Sequence, residues 1–374
     1  MPRFTGAVTP PNATSSSPSG PGRGRFSPGA LLATLLMVAA LLVAPAIAHA
    51  QEATPAASLA ASPAEDPLAA ASAWLRAQQD ASGGFPGYSG EVDPGATIDA
   101  VLALSAAQES DPEAAATLAA AVAYLETEGL PYSQTGAGQA ARLALAAIAG
   151  GRDPRAFGGV DLLAAIAAVP TTTVEHPIPG IYGDDLYDHA LALIALAAAG
   201  ETVPDSALQP FRDMQNDAGG WAFDGSTDAA AADSNTTALV IQALAATGRG
   251  DDHMVEDGLA FLRTLLAPDG SGFAYGPAAP LVADANSTAL AVQALIAAGQ
   301  DPASPEWGNA ARALASFQLP DGGLRYLASD EEPNLLATLQ AIPALAGMPL
   351  PVATACAAGE TPEEDGCVPL APAA

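Results

Sequence analysis

The chain has 374 residues, half of them hydrophobic and only 5% aromatic, with 12 basic against 41 acidic side chains and a formal charge of −29. That length and apolar content can bury a sizeable core. The charge repels phosphate backbones and argues against nucleic-acid binding. Much of the apolar content is alanine, the best helix former, so an all-α chain is expected.

In chain order, the N-terminus reads as an export signal. Arg23 and Arg25 precede an apolar run from Ala30 to Ile47, and Ala48-His49-Ala50 is a small-x-small cleavage site. Residues 1–50 are expected to be removed after Ala50, which makes the protein secreted or extracytoplasmic. The run is near the length of a membrane span, so an uncleaved anchor is the alternative. Cleavage takes away three arginines and no acids, leaving a formal charge of −32. Residues 51–66 are rich in Ala, Pro, Ser and acid and read as a disordered linker.

From residue 67 to 349 one pattern recurs about every 50 residues. An apolar helix leads to a glycine-rich turn that delivers an aromatic or leucine, and a second apolar helix follows. The first repeat runs from Ala71 to Gln79, then Gly83-Gly84-Phe85, then Thr97 to Leu104. The second is degenerate, with Ala114–Glu126, a Gly129-Leu-Pro-Tyr132 turn and Ala140–Ala149. The third has Val160–Ala168, Pro179-Gly-Ile-Tyr182 and His189–Ala199. The fourth has Ser206–Gln215, Gly219-Gly-Trp221 and Asp233–Leu244. The fifth has Val255–Leu266, Gly270-Ser-Gly-Phe273 and Ala289–Ala298. The sixth has Trp307–Gln318, Gly322-Gly-Leu324 and Leu335–Leu345.

Second helices end near Gly150, Gly200, Gly248, Gly299 and Gly347, where a left-handed C-cap is expected. They are apolar nearly all round, which suits an inner layer, whereas the first helices carry Arg76, Arg212, Arg263 and Arg312, which suit an outer one. The expected fold is an (α/α)6 toroid of six helical hairpins in two concentric layers. An open solenoid is the alternative.

Gln79, Gln215 and Gln318 each lie six residues before Phe85, Trp221 and Leu324, while the fifth repeat departs with Ala267. This Gln…Gly-Gly-aromatic pattern resembles the repeat of the terpenoid cyclase and protein prenyltransferase β-subunit superfamily. The segments Asp233-Ser-Asn-Thr-Thr-Ala-Leu and Asp284-Ala-Asn-Ser-Thr-Ala-Leu are similar to those of bacterial secreted members and of the α-domain of cobalamin carriers. The resemblance implies the toroid fold. One toroid hosts many activities.

The residues argue against the superfamily's best-known chemistries. The repeats hold no cysteine and only His176, His189 and His253, too few soft ligands for a prenyltransferase zinc. The Asp-x-Asp-Asp acid of squalene-type cyclases does not occur. Asp184-Asp-Leu-Tyr-Asp188 matches the Asp-Asp-x-x-Asp magnesium motif, and coincidence is the blander reading because that motif belongs to another helical domain. Asp224-Gly-Ser-Thr-Asp228 begins like a calcium loop but lacks the remaining ligands. No cofactor is expected, with Ca²⁺ or Mg²⁺ as the alternative. Asp80, Asp217, Asp269 and Asp321 are expected to cap the glycine turns.

The most informative acids are those before the inner helices: Asp93, Asp185, Asp233, Asp284 and, within a residue, Glu332. They read as N-caps worth about 0.5–2 kcal/mol each. In a toroid they would also ring one mouth of the barrel, where Trp221, Phe223, Tyr275 and Tyr326 would complete a polar–aromatic ligand site. Cys356 and Cys367, in the tail of residues 350–374, are placed to form a disulfide in an exported protein. The functional expectation is an exported, non-catalytic module for a small molecule, with a corrinoid as one candidate, or for an extracellular protein. The enzyme alternatives are a cyclase or prenyltransferase-like activity and a carbohydrate-active toroid using a carboxylate pair.

Overall fold

A computed structural model describes residues 66–168 and 181–352, together with the backbone of two tail strands. The expected export signal, most of the linker, Pro179, His176 and Cys356 lie outside the described residues, as does the side chain of Cys367.

Helices alternate along the chain. The first half holds α1 (Pro67–Arg76), α2 (Pro94–Ala107), α3 (Ala114–Ser133), α4 (Ala137–Ala149), α5 (Leu162–Ala168) and α6 (Leu186–Ala198). The second half holds α7 (Gln209–Met214), α8 (Ser234–Ala246), α9 (His253–Thr264), α10 (Ala285–Ala297), α11 (Ala310–Ala315) and α12 (Leu335–Leu345). Strand pairing is minor: β1 (Phe85–Pro86) pairs with β2 (Val92–Asp93), and β3 (Glu360–Glu363) with β4 (Gly366–Pro369), both antiparallel. Among the described residues no helix is long and apolar enough to cross a membrane.

The fold is an all-α toroid. Each even-numbered helix packs on the next, and α12 returns to pack on α2, so the inner layer is a closed ring rather than an open solenoid. Alanine makes this possible. Ala100, Ala103, Ala144, Ala147, Ala192, Ala195, Ala243, Ala291 and Ala294 are fully buried between helices and let their backbones approach closely. The outer helices carry a one-sided apolar face, with Leu75, Leu125, Phe211, Phe261 and Leu314 turned inward.

The glutamine motif is the clasp of the outer layer. Gln79 Nε2 donates to Gly83 O and to Thr117 O of α3, both at 2.9 Å. Gln215 Nε2 does the same with Gly219 O and Met254 O of α9. Gln318 Nε2 donates to Gly322 O at 2.9 Å and to Pro67 O at 2.7 Å, joining the last repeat to the first helix. Gly322, at φ +99°, lets this turn approach α1, since a Cβ there would stand 2.4 Å from Ala70 O. One side chain thus fixes its own turn and tethers the neighbouring repeat.

Several boundaries differ from expectation. α3 does not stop at Glu126 but runs through Gly129 and Pro131 to Ser133. Pro131 sits in the last turn, where its missing N–H costs one helical bond, and Gly129 allows the close approach of Leu143. The sixth outer helix is broken because Gly308 and Asn309 are left-handed between a 3-10 turn and α11. In the second repeat the left-handed residue after α4 is Gly151, one later than expected. In the fourth repeat the glycine turn is capped by Asn216 Oδ1, which accepts from Ala218 N and Gly220 N, and not by Asp217.

Candidate functional site

The inner helices start from a repeated cap. Asp93, Asp185, Asp233 and Asp284 are the N-caps of α2, α6, α8 and α10, each accepting from the backbone N–H three residues on at 2.7–2.8 Å. The cap of α12 is Asn334, accepting from Ala337 N. Glu332, expected at this position, is exposed two residues upstream. α4 begins at Gly136 with no side-chain cap.

A second signal travels with the cap. Four residues later, Thr97, Thr237, Thr288 and Thr338 accept through Oγ1 from the N–H of Phe85, Trp221, Phe273 and Leu324. Each pins the glycine turn to its inner helix. His189 takes this place in the third repeat, where Nδ1 accepts from Tyr182 N at 3.0 Å and Nε2–H faces Ala207 O at 2.8 Å. Burial lowers its pKa to about 4, so it is a neutral structural histidine.

The caps fix which side chains face the barrel axis. Two residues after them stand Gly95, Gly138, Tyr187, Asn235, Asn286 and Leu336. Six after them stand Asp99, Arg142, Leu191, Leu239, Leu290 and Gln340, and nine after them Leu102, Leu145, Ile194, Gln242, Gln293 and Pro343. Most of these line one cavity of about 260 Å³. Leu350 also lines it, its N–H donating to Gln242 Oε1 at 2.9 Å, so the segment after α12 closes the far end.

The expected acid–aromatic mouth is corrected in part. Asp233 and Asp284 are 2% and 3% exposed, and both carboxylate oxygens are engaged: Oδ1 by the cap bond and Oδ2 by Thr236 Oγ1 or Ser287 Oγ. Burial raises their pKa, against the helix N–H groups that lower it. They hold helix ends. Trp221 is fully buried, with Nε1 donating to Phe211 O at 2.8 Å, and belongs to the core. Phe223, Tyr275 and Tyr326 do reach the rim. Their carbonyls accept from Leu186 N, Ser234 N and Ala285 N at the starts of α6, α8 and α10, and their rings are 50%, 53% and 39% exposed. Tyr187 lies near Phe223, with ring centres 6.4 Å apart.

The opposite side of the mouth is charged, and sequence reasoning missed most of it. Arg142 on α4 pairs with Asp99 on α2 at 2.6 Å and donates to Tyr132 Oη at 2.7 Å and to Gly95 O at 3.3 Å. Burial works against its charge, but Asp99 and Tyr132 outweigh this and hold Arg142 above its usual range. The extension of α3 is what carries Tyr132 here. Asp188 on α6 lies in a notch made by two glycines. A Cβ at Gly138 would stand 1.8 Å from its Oδ1, and one at Gly183 2.5 Å from its Cβ. Burial, reinforced by the Asp185 charge, pushes the Asp188 carboxyl up to about 6, against the Asp184 backbone N–H and the pull of Arg142. Burial likewise pushes Tyr187 up to about 12.

Asp184, Asp185 and Asp188 are not gathered as a cation site: Asp185 is the cap bound to Asp188 N, and Asp184 is exposed. Among the described residues no group of three or more His, Cys, Asp or Glu is placed to hold a metal ion. Asp224 and Asp228 cap local turns through Ser226 N and Ala230 N.

No protein-family model matches the chain, and no curated protein does. Solved structures do. The type II terpene cyclase MstE from Scytonema matches at TM-score 0.55 and 18% identity, over 75% of this chain and 96% of that one. The α-1,6-mannanase GH76A of Salegentibacter sp. HEL1_6, as an inactive variant in complex with α-1,6-mannotriose, matches at 0.54 and 10%, over 75% and 98%. An unsaturated glucuronyl hydrolase specific for heparin matches at 0.56 and 14%, over 75% and 95%. These neighbours are enzymes of different chemistries, and what this chain has in common with them is the α/α-toroid fold.

Proposed function

We propose that this chain is a carbohydrate-active hydrolase working at the mouth of its toroid. The observation that supports it is the placement of Asp188 beside the Asp99–Arg142 pair, on a barrel mouth whose rim also carries Phe223, Tyr275 and Tyr326. Glycoside hydrolysis needs two carboxyl groups kept in different protonation states by their surroundings. Asp188, glycine-notched and desolvated, is the proton donor to the leaving oxygen. Asp99, paired with Arg142, is the second carboxylate. Exposed aromatic rings and the amides of Asn235 and Gln340, the latter held by the buried Asn286, suit the faces and hydroxyls of a sugar. Among the described residues, three of the four aromatics with large exposure, Phe223, Tyr275 and Tyr326, stand where such a substrate would rest.

The acid also separates this reading from a cyclase. A carboxyl held up to about 6 is a weak acid. It matches a glycosidic oxygen but lacks the strength to protonate an alkene. The expected capture of a small molecule without turnover is the second reading, favoured by the closed floor at Leu350. A cavity of about 260 Å³ lies below the usual range for drug-sized ligands, so a corrinoid would have to rest on the mouth.

The test uses the full chain and a panel of mannose, glucose, galactose and uronic-acid oligosaccharides, reading reducing ends released between pH 4 and 8. Release is expected to fall as pH rises through about 6, where Asp188 loses its proton. Asp188→Asn is expected to lower kcat by about 10²–10⁴-fold. Folded protein that releases nothing from any member of the panel, or an Asp188→Asn variant with full activity, overturns the proposal.

A further inference from the structure

The barrel beneath the mouth does not suit a sugar. Leu191 and Leu290 stand level with Asp99 and Arg142; below them the cavity wall is built mainly by Leu102, Leu145 and Pro343, with Gln293, and Leu350 forms its floor. Leucine offers no partner to a hydroxyl, and burying an unpaired hydroxyl is costly. The charged groups of this cavity lie toward the mouth; at the closed far end Gln293 Nε2 donates to Gln340 O and Gln242 Oε1 accepts from Leu350 N, and the rest of the lining there is apolar. From these layers we infer that the substrate is an amphiphile: a glycoside whose sugar rests on the mouth and whose apolar aglycone enters the leucine-lined barrel.

This rests on the hydrolase reading for the sugar half alone. The volume of about 260 Å³ holds about eight groups of the size of a water or methylene, which sets the aglycone at roughly eight carbons. The leaving oxygen then lies at the boundary between the polar and apolar layers, between the level of Asp188, three residues after its cap, and that of Asp99, six after its own. Cleavage there breaks the bond from the anomeric carbon to the aglycone oxygen. The proton of Asp188 goes to that oxygen, water supplies hydroxide to the sugar with Asp99 taking its proton, and the products are a free sugar and an alcohol. The alcohol is the part that stays in the barrel.

The inference is tested with the full chain in two arms. In the first, n-alkan-1-ols of four, six, eight and ten carbons are titrated by calorimetry. Kd is expected to tighten about fourfold per methylene up to eight carbons and then level. Leu191→Phe fills the cavity from α6 and is expected to weaken octanol at least tenfold. Leu290→Phe does so from α10 and serves if the first variant fails to fold. In the second arm, octyl and methyl glycosides of one sugar are compared, and kcat/KM is expected to favour the octyl form at least tenfold. Alkanol binding with no dependence on chain length overturns the inference, whether or not any sugar is cleaved. Cleavage with equal preference for methyl and octyl glycosides also overturns it. Length-dependent alkanol binding with no cleavage of either glycoside overturns the hydrolase reading and with it the sugar half, and leaves an apolar-ligand pocket measured in its own right.

Discussion

Replacing Asp188 by asparagine is expected to make the protein more stable at neutral pH and to leave it unchanged in acid. The carboxyl is drawn from the ordinary 3.8 to about 6 by burial against Gly138 and by Asp185. An acid whose pKa is raised on folding contributes fully below its unfolded value, and that contribution is lost as pH rises through the folded value. Above pH 6 the native state therefore carries a carboxylate it solvates poorly. The full difference corresponds to about 3 kcal/mol at pH 7. Its part exposure reduces this to about 1–2 kcal/mol. Asparagine is isosteric and has no proton to lose. The cap bond is unaffected, because it uses the backbone N–H of residue 188. Thermal unfolding followed by circular dichroism from pH 4 to 8 reads the effect directly. The two proteins should coincide near pH 4 and separate through pH 6, with a gain in Tm of about 2–8 °C at pH 7.5. A gain of equal size at pH 4 and 7.5, or a loss throughout, would show that the carboxylate is not desolvated and would remove the reason to name Asp188 as the proton donor.

Other expectations concern the frame. His189 is buried neutral with its pKa lowered to about 4, so stability should fall as pH drops from about 6.5 to 4, by up to about 3 kcal/mol, and level below. Following this in the Asp188→Asn background keeps the opposing slopes apart, and His189→Thr should flatten the curve. Gln318→Ala removes both bonds of the clasp that joins the last turn to Pro67, at a cost of about 1–3 kcal/mol in urea melts. A loss under about 0.5 kcal/mol would mean the ring closes without it. Asn334→Ala should cost about 1 kcal/mol as a lost cap, while Glu332→Ala stays within about 0.5 kcal/mol.

Much of the fold was legible because its signals are local and recur. Gln79, Gln215 and Gln318 keep one spacing to the next aromatic or leucine, and each makes the same pair of bonds. Gly200, Gly248, Gly299 and Gly347 end their helices with positive φ as glycine allows. The misreadings arose where one residue type serves two purposes. Glu332 is an acid near a helix start, but the threonine found four residues after four of the caps points to Asn334, since Thr338 Oγ1 donates to Asn334 O. That threonine spacing was in the sequence and would have set the register. Trp221 follows the glycine pair as Phe85 and Phe273 do, and all three are core residues. The aromatics that reach the rim come two residues later, at Phe223, Tyr275 and Tyr326. α3 could not be read through Gly129 and Pro131, because glycine and proline are the usual helix breakers and the close approach of Leu143 to Gly129 is a tertiary contact.

The candidate site was hidden for a more general reason. A repeat alignment draws attention to what all repeats have in common, and in this toroid the common positions build the ring. Asp93, Asp185, Asp233 and Asp284 recur because every inner helix needs a cap. The groups available for chemistry are the departures. Six residues after the cap, three repeats carry leucine at the axis, and the other three carry Asp99, Arg142 and Gln340. Three after the cap, the residue is otherwise small or uncharged, and Asp188 is the exception. The second repeat has lost both its capping acid and its threonine, and this loss is what opens the notch. Gly136 starts α4 without a side-chain cap, Gly138 leaves room for the Asp188 carboxyl, and one turn further Arg142 reaches Asp99 on α2. A side chain at 138 would close the notch. The degenerate repeat is therefore where the ring yields some of its own stabilisation, and the charged half of the mouth is built there.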